Sequence, residues 1–505
     1  MIKKIVSVLL IISMIFLLGS CGKKEETTPT ETEDYVLPTQ VIDADISLPY
    51  ISTDSFFPYS AKSSLNRDLI PLIYEGLFVP TEDGKGMPQL AVSGKNEGKK
   101  VTVKLLSNVK FSDGVQLTSA YVKAAYDKAK NNGYYNKSLK NIASIATPDN
   151  FTVVFTLYNP DALALNVLDF PIVRLSGKKY VGTGKYSIGY LDEIPYLQVN
   201  TNHREYNKSW NKQVALYDMA GVSSPIYPFK ANEISVYKDD LSDGRYNNLS
   251  SVTVSEKMNN LVFVGVNSTW AGSVTSLPWV RQAINIGVNR SGIVAASFLG
   301  QGDPVVTPFK NSFYQLNTEN LPGTSGEMER AIAILERNGY TQVNGDGVRT
   351  NGKNALRVNI LVCTQNQYKL TVAQALKSSL EEIGFGVTIT QKKTAKEFTD
   401  ALKTGHFGLY IGETQLTANC DLSEFFTKDG TLSYGVNDEF FAEYSAYKSG
   451  VDSTTVFVEG FSTEVPFIPL FYRKTVVSVN PNITGVNAGY NIYSDICNWK
   501  VSTNE

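Results

Sequence analysis

The stretch from Arg357 to Thr390 constrains the architecture more than any other. Arg357-Val358-Asn359-Ile360-Leu361-Val362 is an apolar strand, after which Ala373, Leu376, Leu380 and Ile383 recur at the spacing of one helix face. Gly384 ends that helix, and Val387-Thr388-Ile389-Thr390 opens another strand. A strand, a helix and a strand in succession place the two strands side by side in parallel, which predicts an α/β fold. Upstream, Val101 to Leu106 and Phe151 to Leu157 alternate apolar and polar side chains as half-buried strands do. Thr118 to Lys130 carries Ala, Val and Tyr at helical spacing behind a threonine able to cap. Those segments predict a small α+β unit. No internal repeat is found.

The chain opens differently. Lys3 and Lys4 precede the apolar run Ile5 to Leu18, which ends in Leu18-Gly19-Ser20-Cys21. The run is shorter than the roughly 20 apolar residues that cross a hydrocarbon core, so residues 1–20 read as a secretory signal peptide. Leu18-Gly19-Ser20-Cys21 resembles the bacterial lipobox, which implies lipidation of Cys21 and cleavage just before it. Gly22 to Asp34 has no large apolar side chain and cannot offset the entropy of folding, so residues 21–42 are expected as a lipidated flexible tether.

The chain beyond the tether is too long for one hydrophobic core. With 47 basic and 49 acidic residues and a net charge of −2, the protein offers no polyanion-binding surface, and nucleic acid is excluded as a partner. Cys363, Cys420 and Cys497 are widely spaced and fit neither a disulfide framework nor a zinc cluster. His203 and His406 stand in no metal-binding or nucleophile-activating spacing. No phosphate loop or nucleophile elbow is present. Val181-Gly182-Thr183-Gly184-Lys185-Tyr186 is followed by the alternating Ser187-Ile188-Gly189-Tyr190, so it reads as the entry to a strand. The expectation is a protein that catalyses nothing and needs no cofactor and no metal.

Several phrases then fall in a recognisable order. They are Ile73-Tyr74-Glu75-Gly76-Leu77-Phe78 with Met87-Pro88-Gln89-Leu90-Ala91, Phe111-Ser112-Asp113-Gly114 with Leu117-Thr118, and Gly182-Thr183-Gly184-Lys185-Tyr186. Val280-Arg281-Gln282-Ala283 with Val288-Asn289-Arg290, and Ile468-Pro469-Leu470-Phe471, complete the series. In this order the chain resembles the extracellular solute-binding proteins of the peptide and nickel class, family 5, over nearly all of its mature length. Taken alone, the same residues are turns and helix faces that specify a scaffold.

The resemblance implies a two-lobed, periplasmic-binding-protein-like α/β fold, type II, of the large peptide-binding class, with an extra small α+β insert in lobe 1. Lobe 1 would span residues 43–260 with the insert at about 62–178, lobe 2 residues 261–466, and the return to lobe 1 residues 467–505. It also implies a monomeric, lipid-anchored component of an ABC importer on the extracytoplasmic face. Such a component captures a peptide-like or other small solute and presents it to permease subunits. The alternative is a lipoprotein receptor that binds a peptide signal or protein partner without transport. Candidate solute contacts in lobe 1 are Asp54, Ser55, Phe56, Phe57 and Tyr59, with Trp270 as a cleft lid. The family position that holds a peptide's ammonium falls at Ala418, so Glu413, Gln415, Asn419 and Asp421 are the candidates in lobe 2.

Overall fold

The computed structural model describes residues 42, 44–242, 249–317, 319, 321–487, 489 and 491–502. The signal peptide, Cys21 and the tether up to residue 41 lie outside the described residues.

Strand β1 (Ser47–Tyr50) leads to helix α1 (Ser64–Ile73). The start of α1 is satisfied by side chains: the Asn66 amide donates to Ser63 Oγ at 3.2 Å, and the Ser63 amide donates to Asp54 Oδ2 at 2.7 Å. Leu69, Ile70, Leu72 and Ile73 turn its other face inward.

The predicted small α+β unit comes next. Strands β2 (Ala91–Glu97) and β3 (Lys100–Leu105), helix α2 (Ser119–Ala129), and strands β4 (Ile142–Asp149) and β5 (Thr152–Leu157) make a four-stranded antiparallel sheet in the order β2-β3-β5-β4. Val122, Ala125, Tyr126 and Ala129 bury one face of α2 against it. Thr118 occupies the N-cap position of α2, yet its hydroxyl makes no capping bond. Ser119 takes the local polar role, donating from Oγ to the Asp149 carbonyl at 2.6 Å. Strands β6 (Tyr186–Leu191), β7 (Ile194–Val199) and β8 (Gln213–Asp218) then pair antiparallel in turn, and β8 runs parallel beside β1. The glycine-rich phrase before Tyr186 does enter a strand.

The remaining chain builds on one large mixed sheet. Its elements are β9 (Val236–Asp239), β10 (Thr253–Val266), α3 (Pro278–Gly287), α4 (Arg290–Phe298), β11 (Arg357–Cys363), α5 (Gln367–Glu382), β12 (Gly386–Lys392), β13 (Leu409–Gln415), α6 (Glu439–Ser449), α7 (Thr454–Glu464) and β14 (Phe467–Val479). The strand order is β9-β14-β10-β13-β11-β12, with Gly302–Pro304 beside β14. The β11-α5-β12 unit is the one foreseen: Val358 stands opposite Val387 in parallel register, and Gly384 ends the helix at a φ of 94° that favours glycine.

Strands β10 and β14 are long, at 14 and 13 residues, and they serve more than one core. Val477 and Val479 pack with β1, β8, α1 and the small α+β unit. Val262, Val264, Ile468 and Leu470 pack with α3, α4 and α5, while Leu261, Phe263 and Phe467 join the aromatic cluster of α6 and α7. Between the two stretches the ladder breaks. Lys257 pairs with Lys474 and Leu261 with Tyr472, leaving Met258, Asn259 and Asn260 opposite the single residue Arg473. A bulge of this kind bends a strand and re-aims its side chains.

Candidate functional site

Beside the bulge lies a cavity of about 690 Å³. The N-terminal half of α1 supplies Ser64, Leu65, Arg67 and Asp68; β9 supplies Tyr237 to Asp239; β10 supplies Glu256 to Asn260; and Gln415 and Thr475 close it from β13 and β14. Its walls are therefore built from both sides of the point where the strands change core. Lys238 Nζ sits 3.0 Å from Asp68 Oδ1 and also pairs with Glu256. Burial pushes the Asp68 and Glu256 carboxyls up, against the pull of Lys238. Burial opposes the Lys238 charge too, but the two carboxylates outweigh it and hold its ammonium above the usual range. Lys257 pairs with Glu82.

Asn259 also reaches a second, much smaller pocket of about 20 Å³, enough for about one water. Pro80, Thr81 and Glu82 face Lys310, Leu416, Ala418 and Cys420 across it. Lys310 Nζ donates to Asn259 Oδ1 at 2.8 Å and lies 5.2 Å from the centre of the Tyr472 ring. Burial pushes the Lys310 ammonium down to about 8. Beside Ala418 there is thus a cation.

The candidate residues named from sequence are spread over four places. Gln415 lines the large cavity. Glu413 lies behind it, accepting from Arg473 Nη1 at 2.8 Å, from Asn260 Nδ2 at 3.0 Å and from the Tyr368 hydroxyl. Burial would raise the Glu413 carboxyl, but the Arg473 charge and these hydrogen bonds hold it below its usual range. Asn419 and Asp421 belong to a polar bridge between the small α+β unit and α6. Asn419 Nδ2 donates to Asp161 Oδ2 at 2.8 Å, Lys448 pairs with Asp161 at 2.9 Å, and Lys140 pairs with Asp421 at 3.2 Å. The Tyr444 hydroxyl donates to Asp421 Oδ1 at 2.7 Å. Despite burial, Lys448, Lys140 and that hydroxyl hold the Asp421 carboxyl far below the usual range.

Asp54, Ser55, Phe56 and Phe57 line a separate cavity of about 540 Å³ with Tyr50, Tyr74, Tyr180 and Tyr190. It shares no lining residue with the large cavity. Tyr59 is buried, donating to the Pro171 carbonyl and meeting the Phe57 and Tyr135 rings edge-on. Trp270 lies past the distal end of β10, its ring 5.9 Å from that of His406.

Arg67, Asp68, Lys238, Glu256, Asn259 and Asn260 carry the polar chemistry of the large cavity, and none was singled out from sequence. One signal was available: Lys257-Met258-Asn259-Asn260 is a polar interruption just before the apolar run Leu261 to Val266.

The model of the bacterial extracellular solute-binding proteins, family 5 Middle, matches residues 85–428. The chain belongs to that family. This solute-binding protein is 24% identical over 476 residues to the glutathione-binding protein GsiB of Escherichia coli strain K12, covering 85% of this chain and 88% of that one. Among solved structures it resembles the nickel ABC transporter protein of Bacillus halodurans, with a TM-score of 0.72 at 18% identity over 88% of this chain and 97% of the other. It also resembles the periplasmic murein tripeptide-binding protein MppA in its unliganded open form, with a TM-score of 0.71 at 16% identity over 90% and 97%. The fold is the two-lobed, type II periplasmic-binding-protein fold of the large class.

Proposed function

We propose that the protein is the extracytoplasmic solute-binding component of an ABC importer, anchored through a lipidated Cys21, and that it captures a peptide-like solute in the 690 Å³ cavity. The observation that carries this reading is the position of the cavity, walled by α1 and β9 on one side of the β10–β14 bulge and by Gln415 on the other. Lobe 1 and lobe 2 would meet there. Only a few residues need absorb the change of angle on closure, and the bulge at Met258 to Asn260 supplies an interrupted ladder for it. The volume suits a small peptide, since ligand sites commonly enclose some 300–1,000 Å³. Relatives named for glutathione and for a murein tripeptide support a solute of that kind. In this reading the protein is a carrier, and the cavity wall supplies charges and amides that can hold a solute.

The test is the melting temperature of the full chain, in detergent, against di- to hexapeptides, amino acids, sugars and metal chelates. A solute that binds only the folded state at about 100 times its Kd adds about 2.7 kcal/mol of stability. A rise of about 5 °C with one class would support capture and name the cargo. Folded protein that shifts with none of them would count against capture and favour the receptor reading.

A further inference from the structure

The charges in the wall of the large cavity differ in how closely they are matched, and the difference bears on the chemistry of the solute; this inference rests on the capture reading above. Lys238 is held by Asp68 and Glu256, and Lys257 by Glu82. Arg67 differs. Among the described residues its guanidinium makes no ion pair and no side-chain hydrogen bond, and it lies instead over the face of Tyr134, 5.0 Å from the ring centre. Its neighbour Asp68 feels the Arg67 charge but makes its close ion pair with Lys238.

The position makes the unmatched charge unusual. Arg67 is half-buried in the first turn of α1, and that turn carries no acidic residue. Helix N-termini carry positive partial charge, so a cation there is disfavoured unless an anion joins it. Ser64 and Leu65, at the very start of α1, line the same wall.

We propose that Arg67, backed by the Tyr134 ring, is the seat of a carboxylate on the solute, so that the cargo is an acid recognised by its anionic end. A guanidinium offers a planar fork of N–H donors that matches a carboxylate, and an aromatic face leaves that fork free.

The test uses the full chain and two matched tripeptide pools, one with free C-terminal carboxylates and one amidated. Titration calorimetry of the wild type should show the acids binding about 10- to 100-fold more tightly, the range expected for a charge-assisted bond. Arg67→Ala should abolish that preference while leaving the melting temperature of the unliganded protein within about a degree. Arg67→Lys, which keeps the charge and loses the fork, should retain part of it. Equal binding of acids and amides by the wild type, or a preference that survives Arg67→Ala, would overturn the inference while leaving capture standing. Binding of neutral sugars or cationic chelates in place of both pools would overturn it too. No binding of any solute would remove the capture reading and this inference with it.

Discussion

Asp169 shows how a single side chain sets a pH dependence in this protein. Burial pushes its carboxyl from an ordinary 3.8 up to about 6. A folded-state value above the unfolded one means that the anion is disfavoured in the native protein. The penalty is absent below about pH 4, grows through the interval and is complete above about pH 6, where it amounts to no more than about 3 kcal/mol. Asp169→Asn is therefore expected to raise the melting temperature at pH 7 and to leave it unchanged at pH 3.5; thermal melts at the two values check this. Glu413 behaves in the opposite sense, because it neutralises Arg473, which is only 4% exposed. Glu413→Ala would leave that guanidinium buried without its carboxylate, at a cost of about 3 kcal/mol or more. A denaturant melt should show the loss, and an unchanged midpoint would return Glu413 to the candidate solute contacts. Packing is equally exacting on the sheet. Gly265 stands opposite Tyr410 and Gly412 opposite Phe263, each ring lying where the partner's Cβ would be.

At the scale of elements, the periodic segments were legible in the sequence and the breaks between them were not. The β11-α5-β12 unit could be read because Val358, Ile360, Leu376 and Leu380 are spaced by the geometry of the strand and helix they occupy. The bulge at Met258 to Asn260 could not, since it exists only in the register of β10 against Lys474 and Tyr472, more than 200 residues away in the chain. The large cavity was hidden for the same reason: Arg67, Lys238 and Asn259 meet only after three separate elements have packed. Asn419 and Asp421 were picked out as polar residues in a cleft-like position, but what they face was set by α6 and by Asp161 in the small α+β unit. That bridge gives the element-scale prediction. Asp161→Ala removes the partner of both Asn419 and Lys448, so amides of residues 416–424 and 446–450 should exchange with solvent about tenfold faster. Unchanged exchange there would mean that packing of the Phe425 and Phe426 rings alone holds the bridge.

For the whole molecule, membership of family 5 gives the fold and the class of solute-binding protein, while the proposed choice of solute rests on one cavity and the charges around it. Two strands that cross between cores are interrupted where they cross, and the proposed capture would use that interruption as the hinge. The measurement that bears most directly on this account is titration calorimetry of the best-binding solute from the melting screen, on the wild type and on Ser64→Trp. Ser64 is exposed at the start of α1 and lines the large cavity, so an indole there fills the site without disturbing a core. Ser64→Trp should weaken binding by about 100-fold or more while the unliganded protein melts as before. Wild-type affinity in the variant, with the fold intact, would place the solute outside this cavity and contradict the proposed capture.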